Sequence, residues 1–257
     1  MLFVNTRPTD RAAALSAALS AKHIAVFELP LLELEALPWS GALAACYQQL
    51  LGAQVIVVVS PTAVQIGMQY LLQSGVQLGQ LQHITWIAVG EKTAQHLAAY
   101  GIDALIPEIE TSEGMLSLAP LRQLASHSTV AFWRGEGGRQ FMMQHLQQLG
   151  IQVINCVLYQ RRCPAQSMLK AQQLRELLQQ PQPYHVLISS EASWLNWCTL
   201  FQQTPQLIAN AHYVVLGERL YQLLLHDRQQ QQLNFQVMQL SQLEPARLVD
   251  ALVQGKP

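Results

Sequence analysis

Apolar runs of strand length recur through the whole chain, and none is long enough to be anything else. They fall at residues 2–5, 24–28, 55–59, 84–89, 104–106, 129–133, 152–158, 185–188, 212–216 and 235–239. Runs such as Val55 to Val59 are apolar at every position rather than at alternate ones. That is the pattern of a strand covered on both faces, as in parallel sheets. Between the runs, apolar residues are spaced near 3.6, as at 10–21, 62–74, 92–100, 138–149 and 166–179. Gly101 and Gly150 follow two of these segments and read as left-handed helix caps. Alternation of this kind builds βαβ units and a doubly wound α/β fold. Ten strands are many for one open sheet, so two parallel sheets of about five are expected.

The chain also echoes itself. Val57-Val58-Val59-Ser60-Pro61-Thr62-Ala63 returns as Val186-Leu187-Ile188-Ser189-Ser190-Glu191-Ala192. Ile87-Ala88-Val89-Gly90-Glu91-Lys92 returns as Val214-Val215-Leu216-Gly217-Glu218-Arg219. In each half the two loops stand roughly 30 residues apart, which points to two homologous α/β halves.

Several function classes drop out early. The formal net charge is -1 and 12% of residues are charged, so no basic excess invites nucleic acid. No stretch approaches the ~18 consecutive apolar residues of a membrane span. The chain opens on Leu2-Phe3-Val4 without a basic leader or cleavage site, so no signal peptide and a cytoplasmic location are expected. Cys46, Cys156, Cys163 and Cys198 show no C-x-x-C spacing and are expected to be reduced and mostly buried. The His residues are dispersed, with no His-Glu-x-x-His, so no metal is expected. No Gly-x-Ser-x-Gly elbow marks a nucleophilic serine. The run Gln229 to Gln232 reads as solvated surface.

Polar loops at the carboxyl ends of strands are where open parallel sheets bind ligands. Here they are Asn5-Thr6-Arg7-Pro8, Ser60-Pro61-Thr62, Gly90-Glu91-Lys92-Thr93, Arg134-Gly135-Glu136-Gly137-Gly138-Arg139, Ser189-Ser190-Glu191 and Gly217-Glu218-Arg219. Each precedes a helix, so free N–H groups and the positive helix end favour anions. In the Gly-rich loop the glycines permit close backbone approach, and Arg134 and Arg139 could each fork onto a carboxylate or phosphate. The same loop could be only a tight strand–helix turn; it fits neither a phosphate-binding Gly-Lys-Ser/Thr loop nor a dinucleotide fingerprint. Ser60, Ser189 and Ser190 could equally be helix N-caps. Tyr159, before Gln160-Arg161-Arg162, could present its hydroxyl to a ligand or simply pack with a wet tip.

Taken in order, these loops resemble the uroporphyrinogen-III synthase family. The resemblance rests on Thr6-Arg7-Pro8, Ser60-Pro61-Thr62-Ala63-Val64, Val89-Gly90-Glu91-Lys92-Thr93-Ala94 and Arg134 to Arg139 with Leu146 and Gly150. It continues through Val157-Leu158-Tyr159, Ser189-Ser190 and Leu216-Gly217-Glu218-Arg219. It implies two flavodoxin-like domains joined by two extended linkers: residues 1–36 with 164–257, and an inserted domain at 37–163. It implies a cofactor-free lyase that closes hydroxymethylbilane, a linear tetrapyrrole with eight carboxylates, into uroporphyrinogen III. Water is lost and ring D is inverted through a spiro intermediate. Tyr159 matches the family's cleft tyrosine and is expected to assist departure of the hydroxyl. Arg7, Ser60, Thr62, Gly90, Lys92, Thr93, Arg134, Gly135, Gly137, Gly138, Arg139, Ser189 and Ser190 would bind the substrate. Arg219-Leu220 stands where some relatives carry a hydroxyl-bearing pair, so Arg219 would contact a carboxylate instead. A monomer is expected, in transient contact with hydroxymethylbilane synthase.

The rival class is a two-lobed binding or sensor protein without catalysis, against which stands the absence of a helix-turn-helix before the first strand. A flavin domain would need a phosphate loop after that strand, and Asn5-Thr6-Arg7-Pro8-Thr9-Asp10 is not one.

Overall fold

The computed structural model describes residues 1–137, 140–179 and 182–254, without the side chains of 253 and 254. Its strands are β1 (Leu2–Asn5), β2 (Ala25–Glu28), β3 (Glu33–Ala36), β4 (Val55–Val58), β5 (Thr85–Ala88), β6 (Ala104–Leu105), β7 (Thr129–Gly135), β8 (Gln152–Arg162), β9 (Tyr184–Ile188), β10 (Ala211–Leu216) and β11 (Gln236–Leu240). The chain divides into two compact units, one of residues 1–33 with 162 onward and one of residues 34–161. Among the described residues, no helix is long and apolar enough to cross a membrane.

The first unit holds one sheet in the order β11-β10-β9-β1-β2, parallel throughout. The second holds β3-β8-β7-β4-β5-β6, in which β4 to β8 are parallel. The second sheet has six strands rather than five, because Glu33–Ala36 adds an edge. Glu-Leu-Glu-Ala alternates polar and apolar over four residues, too short a signal to mark a strand. Its partners supply what its sequence lacks. Arg162 bonds Glu33, Gln160 bonds Glu35, and the Leu37 N–H donates to the Leu158 carbonyl, so β3 runs against β8.

Every central strand serves two cores. Ile56 and Val58 face one apolar cluster of the second unit, with Trp133 and Tyr47, while Val55 and Val57 face the other, with Phe132 and Leu146. In the first unit Val186 and Ile188 join Trp194 and Tyr213, while Leu187 joins Phe3 and Leu15. Complete burial of each such side chain contributes about 1.5–3 kcal/mol. Period-two alternation is therefore absent from the sequence although present in the structure.

The two sheets share one plan, reached from different starting points. In the first unit, chain order gives the spatial order 2-1-3-4-5, the flavodoxin-like arrangement. The second gives the same order when numbering starts at β7 and β8 and continues through β4, β5 and β6. The echoed loops follow β4 and β9, and β5 and β10, which are the third and fourth strands of each sheet. The sequence repeat and the compact unit are thus different objects. Apart from the added edge strand β3, each repeat gives two strands to one unit and three to the other.

Candidate functional site

Because β4, β5, β7 and β8 are parallel neighbours, the loops after them open on one edge of the second sheet. At that edge β7 and β8 lose their even register. Arg134 pairs with Val157 but Gly135 pairs with Tyr159, so a bulge passes over Leu158. Bulges re-aim side chains, and here Leu158 and Tyr159 both join the core cluster on one face. The Tyr159 ring occupies the place beside Gly135 where a side chain would stand: a Cβ there would lie 2.4 Å from the ring. The Glu136 N–H donates to the Tyr159 carbonyl and completes the lock.

The Tyr159 hydroxyl lies 3.0 Å from the Ser60 hydroxyl at the end of the neighbouring β4 loop. Ser60 also caps the Pro61–Ser74 helix, accepting the Ala63 N–H at 3.0 Å. Thr62 lies half-buried in the first turn of that helix.

Arg134 turns inward instead of outward. It is 7% exposed, and its guanidinium donates to the Gly137 carbonyl and lies 3.8 Å from the Met143 sulfur. Burial pushes it below its ordinary pKa; nearby Tyr159 opposes that and the charge of Arg161 adds to it. Its donors shape the glycine loop. Arg161 is exposed at this edge, with Cζ 6.0 Å from the Tyr159 ring centroid and Nη1 3.3 Å from the Glu136 carbonyl. Gly137 has φ +71°, while Gly138 and Arg139 lie outside the described residues.

The Gly90 loop leads into the Glu91–Ala98 helix with no side-chain cap of its own. The exposed Glu110 carboxylate supplies one, accepting the Glu91 N–H at 3.0 Å. It fills the space that a Cβ on Gly90 would need, at 2.2 Å. An anion therefore already sits where the sequence reading seats a substrate carboxylate. Lys92 is exposed there, whereas Thr93 is buried at 2% exposure.

In the first unit the loops after β1, β9 and β10 share an edge in the same way. The buried Thr6 hydroxyl donates to the Leu187 carbonyl and ties β1 to β9. Asn5 is fully buried; its amide bonds Ala12 O and Ser16 Oγ, and its carbonyl accepts the Arg7 N–H. That leaves Arg7 half-buried at the head of the Thr9–Ser20 helix. Ser190 caps the Glu191–Phe201 helix through the Ser193 N–H, while Ser189 is half-buried beside it. Exposed Arg219 pairs with Glu191 at 2.5 Å and joins the β9 and β10 loops.

Sequence reasoning missed Glu110 and Arg161. Arg161 carried a usable signal in its two-residue spacing from Tyr159, whereas nothing local marks Glu110. The four cysteines are free; Cys156 is buried and Cys46, Cys163 and Cys198 are half-buried, more open than expected. Among the described residues, no three His, Cys, Asp or Glu side chains gather as metal ligands.

Comparison with known proteins bears on these arrangements. Residues 13–231 match the family model described as Uroporphyrinogen-III synthase HemD. A uroporphyrinogen-III synthase of Proteus mirabilis is 38% identical over 94 residues, 33% of this chain and 46% of that protein. One of Synechococcus elongatus is 31% identical over 169 residues, 63% of this chain and 61% of that protein. The matches thus span between about half and three fifths of these curated relatives. A solved mutant uroporphyrinogen III synthase of Thermus thermophilus aligns over 99% of this chain and 96% of its own, with TM-score 0.57 at 15% identity. The synthetase of Helicobacter pylori aligns over 98% of each chain, with TM-score 0.57 at 14% identity. At such identities these structures speak for the fold alone.

Proposed function

The chain belongs to the uroporphyrinogen-III synthase family, and from that premise we propose that it converts hydroxymethylbilane to uroporphyrinogen III, as a cyclising hydro-lyase without cofactor. The observation that carries this reading beyond family membership is the Tyr159–Ser60 hydroxyl pair on an edge lined by helix N-termini. Since Ser60 already accepts the Ala63 N–H, its own proton can go to the Tyr159 oxygen. The phenolic proton is then available to the departing hydroxyl. The carbon–oxygen bond breaks, that proton leaves with the oxygen as water, and the phenolate is reprotonated by the proton that ring closure releases. A phenol is a weak acid, so this contributes at or below the lower end of the ~10²–10⁴-fold range of general acid catalysis. Much of the remaining rate comes from holding the two ends of the substrate together.

Backbone N–H groups and hydroxyls suit a polycarboxylate in a chain with few charges. We assign carboxylate contacts to Arg7, Ser189, Ser190 and Arg219 in the first unit, and to Ser60, Thr62 and Lys92 in the second; Thr93 is buried with its N–H on the Gly90 carbonyl, and the Glu110 carboxylate fills the space beside Gly90. Arg134 with Gly135 and Gly137 forms the loop that carries Tyr159's neighbours. The protein would act in the cytoplasm as a monomer, in transient contact with hydroxymethylbilane synthase, which supplies the unstable substrate.

The test is a coupled assay in which porphobilinogen and hydroxymethylbilane synthase generate the substrate, and oxidised products are separated by chromatography. A shift from the spontaneous type I isomer to type III supports the assignment. Type I alone, with folded protein in excess, overturns it in favour of a two-lobed binding protein.

A further inference from the structure

Two arginines follow Tyr159 on β8, and the fold treats them differently. Arg162 donates from Nε to Glu33 at 2.7 Å across the β3–β8 edge. Arg161 is exposed and, among the described residues, has no carboxylate partner. Strand alternation puts Tyr159 and Arg161 on one face, while Gln160 between them donates to Glu35 at 2.9 Å. The Arg161 guanidinium therefore lies over the Tyr159 ring, with one of its five donors on the Glu136 carbonyl. Arg134, also at this edge, is committed inward to Gly137 and Met143. Tyr159 itself is only 2% exposed, so a ligand approaching it meets Arg161 first.

We propose that Arg161 is the anchor for a substrate carboxylate beside Tyr159, binding it in a bidentate fork; this rests on the synthase reading above. A planar guanidinium suits a carboxylate better than an ammonium does. Holding one carboxylate there fixes how the reacting end of the substrate meets the phenol. Because the pair would be exposed, added salt must weaken it.

The experiment compares wild type with Arg161→Gln and Arg161→Lys. Binding of uroporphyrin III, the oxidised octacarboxylate, is followed by tryptophan fluorescence from about 50 to about 500 mM KCl, and kcat and KM come from the coupled assay. The expected result is a Kd and KM for Arg161→Gln raised about 5- to 10-fold at low salt. The gap should close to within about twofold at high salt, and Arg161→Lys should recover part of it. Equal Kd and KM for wild type and Arg161→Gln overturns the proposal, and so does a loss that is independent of salt and tracks a lowered Tm. Wild type that binds the porphyrin while Arg161→Gln binds equally well removes only this inference. Wild type that neither binds it nor makes the type III isomer removes the synthase reading as well.

Discussion

Tyr159 and Ser60 stand 99 residues apart in the chain and place their hydroxyl oxygens 3.0 Å from each other. The contact depends on a parallel sheet that sets β8, β7 and β4 side by side, and on the bulge that turns Tyr159 toward β4.

Tyr159→Phe removes the proton donor and keeps the ring against Gly135. We expect kcat to fall about 10- to 100-fold, with KM within about twofold. Lost stability should stay near ~1 kcal/mol, the net value of one hydrogen bond. Steady-state kinetics in the coupled assay and urea denaturation check both. An unchanged kcat would remove Tyr159 from the chemistry.

Ser60→Ala and Ser190→Ala form a matched pair, since each deletes an N-cap that accepts from the residue three positions on. Each should cost about 1 kcal/mol in urea denaturation. Only Ser60→Ala also strips Tyr159 of its partner, so kcat should drop further for that variant. In a double-mutant cycle, Ser60→Ala with Tyr159→Phe should be clearly less than multiplicative in kcat.

Gly135→Ala places a methyl group 2.4 Å from ring carbons of Tyr159. Overpacking of this kind costs about 1–3 kcal/mol. The ring must move, so activity should fall together with stability. A companion Gly52→Ala, with open space around it, should leave both unchanged. Equal behaviour of the two variants would contradict the close approach.

His185 predicts a pH dependence of stability. Burial, then His212 and the N-terminal amine, push its pKa from 6.5 down to about 4, and its Nδ1 has no hydrogen-bond partner. The rings of His185 and His212 meet edge to face at 5.2 Å. Unfolded chains take up a proton near pH 6.5 that the folded protein refuses until about pH 4. The stabilisation is therefore complete above about pH 6.5 and is lost as pH falls towards 4. Urea midpoints measured between about pH 7.5 and about pH 4.5 should decline for wild type and decline less for His185→Gln. Identical slopes would rule the histidine out.

The fold was legible where one residue type decides. Continuous apolar runs gave the two-faced strands, and Gly101 and Gly150 do take positive φ at their helix ends. What stayed hidden depends on partners far along the chain. Glu33–Ala36 is a strand only because β8 runs on past the bulge to Arg162. Arg134 and Arg161 are the same residue type on neighbouring strands, yet the bulge and the glycine turn send one inward and leave the other exposed. No spacing rule separates them. Glu110 reaches the Glu91 N–H from 19 positions away across an irregular segment, beyond any local pattern. The Ser60 and Ser190 caps were readable because capping is settled within four residues.

The strand exchange between repeats also sets a timetable for synthesis. The second unit is one unbroken stretch and can close as soon as Arg161 has left the ribosome. The first unit cannot. β1 must wait for β9, as the Thr6 bond to Leu187, 181 positions away, makes plain. At ~5–20 residues per second, making the chain from Arg161 through β11 takes roughly 4–16 s. Throughout that interval the nascent β1 and β2 carry apolar faces and unpaired edges while the second unit is already complete. The amino-terminal segment is thus the part of this protein most in need of chaperone cover.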